Sequence, residues 1–227
     1  MGHVDDTLRR APLFRGLDDA AAENLKTRMS DIDLARGRTI FHEGDPGDAL
    51  YVVLIGKIKL VRHAPDGREN LLAVLGPAEM FGELSVFDPG PRQTTATAVT
   101  RAKVKRLSQS EVGPWLHEHP EVALSLLHQL AHRLRRTSES AADLVFTDVP
   151  GRVAKALLEL SQRFGVPGPD GLHVHHDLTQ EELAQLVGAS RETVNKALAE
   201  FAQRGWIKLE QKSVTLTDAD RLLRRSK

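Results

Sequence analysis

Two short stretches hold side chains suited to chemistry. The first is Phe81-Gly82-Glu83-Leu84-Ser85-Val86-Phe87-Asp88-Pro89-Gly90-Pro91-Arg92-Gln93-Thr94. An Arg after a Gly/Pro-rich turn can meet a phosphate with two charge-assisted hydrogen bonds. Gly82 permits close backbone approach, and a short helix starting after it would offer free N–H groups to an anion. Glu83 can accept from a sugar hydroxyl. A surface loop with an ordinary Glu–Arg pair would use the same residue types, so this stretch alone leaves both readings open.

The second stretch runs from Asp177 to Phe201. Thr179 and Glu182 have the spacing of a capping box, and Leu183, Leu186 and Val187 form an apolar face behind them. Gly188 can take the positive φ of a tight turn, and Ser190 caps a second helix with Val194, Leu198 and Phe201 inward. This is a helix-turn-helix with Gly in the turn. The outward set is Arg191, Glu192, Asn195 and Lys196, at i, i+1, i+4 and i+5. They crowd the helix N-terminal end, which enters the major groove in such proteins. Arg can bond guanine O6 and N7 together, and Glu can accept from cytosine N4. A solvated face with an i,i+4 Glu192–Lys196 pair is the plainer alternative.

The elements that must position these residues are legible in outline. The first thirty or so residues read as helical, with Asp18 and Asp19 at cap positions and Leu25 and Met29 at helical spacing. From Ile32 to Leu107, turn signals recur between β-rich runs at Leu50–Ile55, Ile58–Val61, Leu71–Leu75 and Thr94–Thr100. That rhythm predicts an antiparallel barrel or sandwich rather than a dinucleotide-binding alternation of strands and helices. From Glu118 to Thr147 the turn signals stop, and Pro120 suits a first helical turn. Ala123, Leu127, Leu130, Leu134, Thr137, Ala141 and Leu144 then form a heptad seam, narrow enough to favour a two-helix dimer interface over the plainer alternative of a helix packed on its own domain. Asp148-Val149-Pro150-Gly151 reads as a hinge, Arg152 to Phe164 as a helix, and Gly165 to Gly171 as a loop. Gly205 to Leu216 reads as a β-hairpin wing.

At this point a resemblance becomes visible. Gly188-Ala189-Ser190-Arg191-Glu192-Thr193-Val194-Asn195-Lys196 resembles the recognition motif of the bacterial cyclic-AMP receptor protein family, the CRP/FNR superfamily, on its cyclic-AMP-binding branch. So does the order of β-roll, long helix, Asp-Val-Pro-Gly-Arg hinge and winged helix over nearly the whole chain. The resemblance implies an α+β protein: a jelly-roll-like cyclic-nucleotide-binding β-roll over 1–117, a dimerisation helix over 118–147, a hinge at 148–151 and a winged helix-turn-helix over 152–227. It implies cyclic AMP as allosteric effector. Gly82, Glu83, Leu84, Ser85, Arg92 and Gln93 fall in the phosphate-binding cassette, Glu83 taking the ribose 2′-hydroxyl and Arg92 the cyclic phosphate. Thr137 and Ser138 match the pair that contacts adenine, Ser138 reaching from the partner subunit, with Arg133 near the phosphate. Thr179 matches a phosphate contact on DNA. With Ser190 and Asn195 beside them, Arg191, Glu192 and Lys196 match the readers of a TGTGA-type half-site. Two positions depart: Gln93 stands where Ser or Thr is usual, and Lys196 where Arg is usual, which loosens base discrimination there. The implied partners are double-stranded DNA, a second copy of the chain and RNA polymerase, which family members touch near Val166 to Leu172.

Composition narrows the alternatives. The 227 residues carry 31 basic and 31 acidic side chains, so any nucleic-acid function rests on local arrangement. From Pro150 onward twelve basic residues face ten acidic ones, only a slight asymmetry. A hydrophobic fraction of 41% supports packed cores. The lack of cysteine excludes disulfides, thiolate catalysis and an iron–sulfur sensor. No run suits a membrane span, and the polar N-terminus is unlike a secretory signal, so a cytoplasmic protein is expected. An enzyme is not expected, since no residues remain for a catalytic domain. His173, His175 and His176, or His128 and His132, are expected to hold no metal. Trp115 and Trp206 read as packing anchors, and Arg221, Arg224 and Arg225 as a solvated helix end. A haem-sensing relative and one answering cyclic GMP, or no effector, are the remaining alternatives.

Overall fold

A computed structural model describes residues 5–227, in two compact units. One extends to Arg135, and the other comprises Arg136 to the end together with Arg68–Leu72. The first unit opens with α1 (Asp6–Arg10), a 3₁₀ turn (Pro12–Phe14) and α2 (Asp19–Arg28). Asp18 is the cap, accepting from the Ala21 N–H at 2.8 Å, and Asp19 is already the first helical residue. There follow β1 (Ser30–Leu34), β2 (Thr39–Phe41), β3 (Ala49–Ile55), β4 (Ile58–His63), β5 (Glu69–Leu75) and β6 (Met80–Phe81). Then come α3 (Leu84–Phe87), β7 (Thr95–Ala98) and β8 (Ala102–Ser108). The strands form two four-stranded sheets, ordered β1-β8-β3-β6 and β2-β7-β4-β5. Apart from the consecutive β4 and β5, neighbours in the sheets are distant in sequence, as expected of a roll.

Strand β3 shows why its sequence reads as an unbroken apolar run. Side chains alternate across a strand, and this one is buried on both faces. Ala49, Tyr51 and Val53 enter the core between the two sheets, whereas Leu50, Val52 and Leu54 enter a second core with the helices. Strands β1 and β8 escape a composition search because charges alternate with their core residues. Lys105 on β8 pairs with Asp31 on β1 at 3.1 Å, while Val104 and Leu34 face inward. The β3–β4 turn needs Gly56: its φ is +83°, and a Cβ there would sit 2.3 Å from the Arg101 carbonyl oxygen.

A short helix the sequence conceals, α4 (Gln109–Glu118), carries the fully buried Trp115. The long helix α5 (Pro120–Phe146) starts on Pro120, whose missing N–H costs nothing in a first turn. Val122 and Leu126 anchor it in the same core as Trp115. The heptad seam faces elsewhere: Leu127, Leu134 and Leu144 are 59%, 68% and 58% exposed in the single chain.

The second unit holds the end of α5, α6 (Val149–Phe164), β9 (Gly165–Gly168), β10 (Gly171–His175), α7 (Gln180–Val187), α8 (Arg191–Gln203), β11 (Ile207–Glu210), β12 (Ser213–Leu216) and α9 (Ala219–Arg225). Two expectations are corrected here. The interruption after α5 spans only Thr147 and Asp148, because Val149, Pro150 and Gly151 form the first turn of α6. Pro150 is thus a helix starter, and Asp148 caps the helix by accepting from the Gly151 N–H at 2.9 Å. The segment read as a loop after Phe164 is strand β9, antiparallel to β10, at the edge of the sheet β11-β12-β10-β9. An edge strand can hold Pro167 without losing an inner ladder bond, so its Gly/Pro content misleads. The unit packs around Val153, Leu157, Leu183, Val194, Leu198 and Phe201. Trp206 stacks on Phe201 with ring centroids 5.4 Å apart.

The C-terminal arginines are not all solvated: Arg225 donates to Asp148 at 2.6 Å, tying α9 to the start of α6. This hydrogen bond holds the Asp148 carboxyl below the usual carboxylate range. A carboxyl with a depressed folded value stabilises the fold above its ordinary range and loses that contribution as pH falls through the folded value. Arg225→Met should therefore lower the melting temperature at about pH 7 by the equivalent of at most ~1 kcal/mol. The deficit should begin to shrink as pH falls below the ordinary Asp value of about 3.9 and go on shrinking with further acidification, as thermal melts would show.

Candidate functional site

Glu83 stands at the N-cap position of α3 and is only 2% exposed. Its Oε1 accepts from Arg133 Nη1 of α5 at 2.5 Å, while its Oε2 is buried with no partner. Gly82 before it has φ +77°, and a Cβ there would come within 2.8 Å of Arg92 Nη1. Arg92 is likewise 2% exposed. Its Nη1 donates to the Gly82 carbonyl at 2.7 Å, and its Nη2 donates to the Ala49 carbonyl at 2.7 Å and to Asp48 at 3.3 Å. The guanidinium lies 4.3 Å from the Phe41 ring centroid. A guanidinium has five N–H donors, so these bonds leave two, one of them the buried and unpartnered Nε–H. Arg92 thus does not hold both terminal nitrogens open towards an anion; backbone carbonyls reach them first.

Asp48 balances this cation and also accepts from Arg106 at 2.7 Å. Partial burial pushes the Asp48 carboxyl up. The hydrogen bond and charge of Arg106, with Arg92 behind them, outweigh burial and keep the group below its ordinary value. Ser85 is buried, and a Cβ on Gly47 would lie 2.0 Å from its Cβ, so the Gly47 backbone passes directly against it. Leu84 and Gln93 are exposed. Thr137 and Ser138 are exposed on α5, one turn past Arg133, in the part that belongs to the second unit. The first unit therefore buries a carboxylate and a guanidinium, each with a polar atom lacking a partner. Such a pair suits a ligand bearing a hydroxyl donor and an anionic oxygen.

In the second unit, the helix-turn-helix forms as its sequence dictates. Thr179 and Glu182 complete a capping box, Gly188 adopts the left-handed conformation at φ +69°, and Ser190 caps α8. Arg191, Glu192 and Lys196 are exposed. Asn195 is not: it is half-buried, and its Nδ2 donates to Gln180 Oε1 at 3.2 Å. Its presumed outward place is corrected, because the face it occupies abuts α7. Gln180 and Asn195 both line a cavity of about 510 Å³ between α7, α8 and the wing strands.

Sequence reasoning also missed Arg152. Its guanidinium donates to the carbonyls of Val187 at 3.0 Å, Gly188 at 3.2 Å and Thr147 at 2.7 Å. It thereby ties the turn of the helix-turn-helix to the end of α5. No local signal marks an Arg for this task, since its acceptors are backbone groups brought together by the fold. Among the described residues no group of three or more His, Cys, Asp or Glu could hold a metal, and His173 instead meets the Thr215 hydroxyl at 2.7 Å. No helix of the described residues is long and apolar enough to cross a membrane.

Comparison with known proteins bears on the two domains. Residues 32–119 match the model of the cyclic nucleotide-binding domain, and residues 151–225 match that of the Crp-like helix-turn-helix domain. The chain is 55% identical, over 224 residues, to a CRP-like cAMP-activated global transcriptional regulator of Mycobacterium tuberculosis, covering 99% of this chain and 100% of that one. It is 36% identical to the cyclic AMP receptor protein of Thermus thermophilus, covering 93% and 95% of the two chains. The solved structure of the c-di-GMP responsive global regulator CLP of Xanthomonas campestris superposes with a TM-score of 0.75 at 26% identity, covering 88% of this chain and 99% of that one. With both domains matched in order and a relative alike from end to end, the chain belongs to the cyclic AMP receptor protein (CRP/FNR) family of transcription regulators, DNA-binding proteins rather than enzymes.

Proposed function

We propose that the chain is a cyclic-AMP-responsive homodimer that binds palindromic TGTGA-type operators and works with RNA polymerase in the cytoplasm. The observation that carries this reading is the buried Glu83 carboxylate with one oxygen lacking a partner. A buried polar atom without a partner costs roughly 1–3 kcal/mol, and a ligand hydroxyl in its place removes that cost. Cyclic AMP supplies a 2′-hydroxyl, an anionic phosphate and an adenine edge. Glu83 would accept the hydroxyl, and Arg92 would meet the phosphate with its two remaining N–H groups, with Arg133 beside them. The amide of Gln93 and the Ser85 hydroxyl add donors at the cassette. Thr137, together with Ser138 reaching from the partner subunit, would flank adenine.

The exposed seam of Leu127, Leu134 and Leu144 supports pairing of two α5 helices, since a stripe of large apolar side chains is seldom left to water. Exposed Arg191, Glu192 and Lys196 at the N-terminal end of α8, with Thr179 and Ser190 at the two helix starts, support major-groove reading. Two such helices must sit ~34 Å apart to enter successive grooves on one face of DNA. An effector can control that spacing only through a difference in affinity between two states of the dimer. The β9–β10 hairpin, with Val166 exposed at its edge, spans the segment where family members touch polymerase, and the polymerase partner is proposed on that resemblance. One feature favours a second reading, in which another nucleotide is the effector: Gln93 offers an exposed amide where the family usually has a hydroxyl.

Calorimetric titration with cyclic AMP and cyclic GMP separates the two readings: the first expects tighter binding of cyclic AMP. Arg92→Ala should weaken cyclic AMP binding by about 30-fold or more while sedimentation still shows two chains per particle. Unchanged affinity in that variant would contradict the assignment. At one fixed salt concentration, saturating cyclic AMP should raise affinity for a TGTGA-type palindromic duplex at least about tenfold. Equal affinity with and without nucleotide would overturn the switch.

A further inference from the structure

Arg191 and Asn195 stand one turn apart on α8 and share a single acceptor. Oε1 of Gln180, the first residue of α7, receives Arg191 Nη2 at 3.4 Å and Asn195 Nδ2 at 3.2 Å. The polarity of this trio is dictated from one end. A guanidinium only donates, so Gln180 must turn its amide oxygen towards α8 and its NH₂ group away. Asn195 must then offer its own NH₂ group to that oxygen. Its carbonyl oxygen is left buried without a partner, as observed. Asn195 therefore gives up a hydrogen bond of its own in an orientation set by Arg191 and Gln180.

We infer that Gln180 is a positioning residue for sequence reading, an acceptor that holds the Arg191 guanidinium over the groove-facing end of α8 before DNA arrives. The contact uses one of five N–H groups on Arg191, leaving the pair that guanine O6 and N7 require. Arg is long and rotamer-rich, and ordering it in advance lowers the entropy lost on binding. Gln180 is itself exposed and carries no charge, so its contribution falls on discrimination between bases more than on attraction to phosphate. The sequence gives no hint of this, because Gln180 lies eleven residues before Arg191 on a different helix.

The inference rests on Arg191 reading a base, as proposed above, and its test keeps the two separable. Anisotropy titrations of the full chain with saturating cyclic AMP would compare a TGTGA-type palindrome with duplexes in which each guanine is replaced. The quantity read is the ratio of cognate to substituted affinity on one preparation, from which the folded fraction cancels. Gln180→Lys removes the acceptor and adds a phosphate-seeking charge. It should hold or raise affinity for every duplex while the ratio falls about three- to tenfold. Gln180→Glu keeps the acceptor and should preserve the ratio although overall affinity weakens. An unchanged ratio in Gln180→Lys, or an equal loss in Gln180→Glu, would overturn the positioning role. If Arg191→Ala leaves the ratio unchanged, base reading by Arg191 fails, and the inference with it.

Discussion

Two opposite charges are buried in the first unit without touching each other, and the local architecture follows from how each is balanced. An isolated buried charge is too costly to persist, so each must find opposite charge or dipoles at hydrogen-bond distance. Glu83 finds Arg133 on the long helix. Arg92 finds two carbonyls, at the start of β3 and just before α3, with Asp48 behind them. These bonds fix the strand end at Ala49, the left-handed Gly82 and the first turn of α3 around one cluster. They also place α5 under the influence of Glu83, because Arg133 of that helix donates to its Oε1. Any molecule that engages Glu83 therefore acts on a residue of the long helix as well.

The second unit uses polar contacts differently. Its end of α5 is tied to α6 by Arg136 with Glu159 and Lys155 with Asp143. Arg152 then joins Thr147 to the turn at Val187 and Gly188. A Cβ on Gly188 would fall 2.9 Å from a Leu144 methyl, so the tight turn abuts the last seam residue. A displacement at the end of α5 thus meets the turn that precedes the recognition helix through direct packing and hydrogen bonds. The boundary between the units falls on α5 itself, between Arg135 and Arg136, a few residues from Arg133 and Thr137. In the proposed switch this helix is the element whose two arrangements both ends bias.

What could be read from the sequence was mostly local. Thr179, Gly188 and Ser190 were legible because caps and left-handed turns are decided within a few residues. Strand β3 was legible because burial on both faces leaves a run without polar breaks. Strands β1 and β8 were not, since the face turned away from the inter-sheet core carries Asp31, Lys103 and the buried Lys105 in alternation with their apolar residues. Pro150 misled because proline both ends and begins helices, and only the Asp148 cap decides which. Glu83 and Arg92 were found as residue types, but these partners were not, since Ala49, Asp48 and Arg133 are 43 or more positions away from the residue they serve. The same holds for Asn195, whose contact with Gln180 depends on how two helices cross.

The central claim is that the open oxygen of Glu83 awaits a hydroxyl on the sugar of the effector. It is tested most directly by calorimetric titration of the wild-type chain with cyclic AMP and with its 2′-deoxy analogue, which lacks only that group. Loss of a hydrogen bond to a buried carboxylate is expected to weaken the analogue by about tenfold or more. Equal affinity for the two nucleotides would contradict the account.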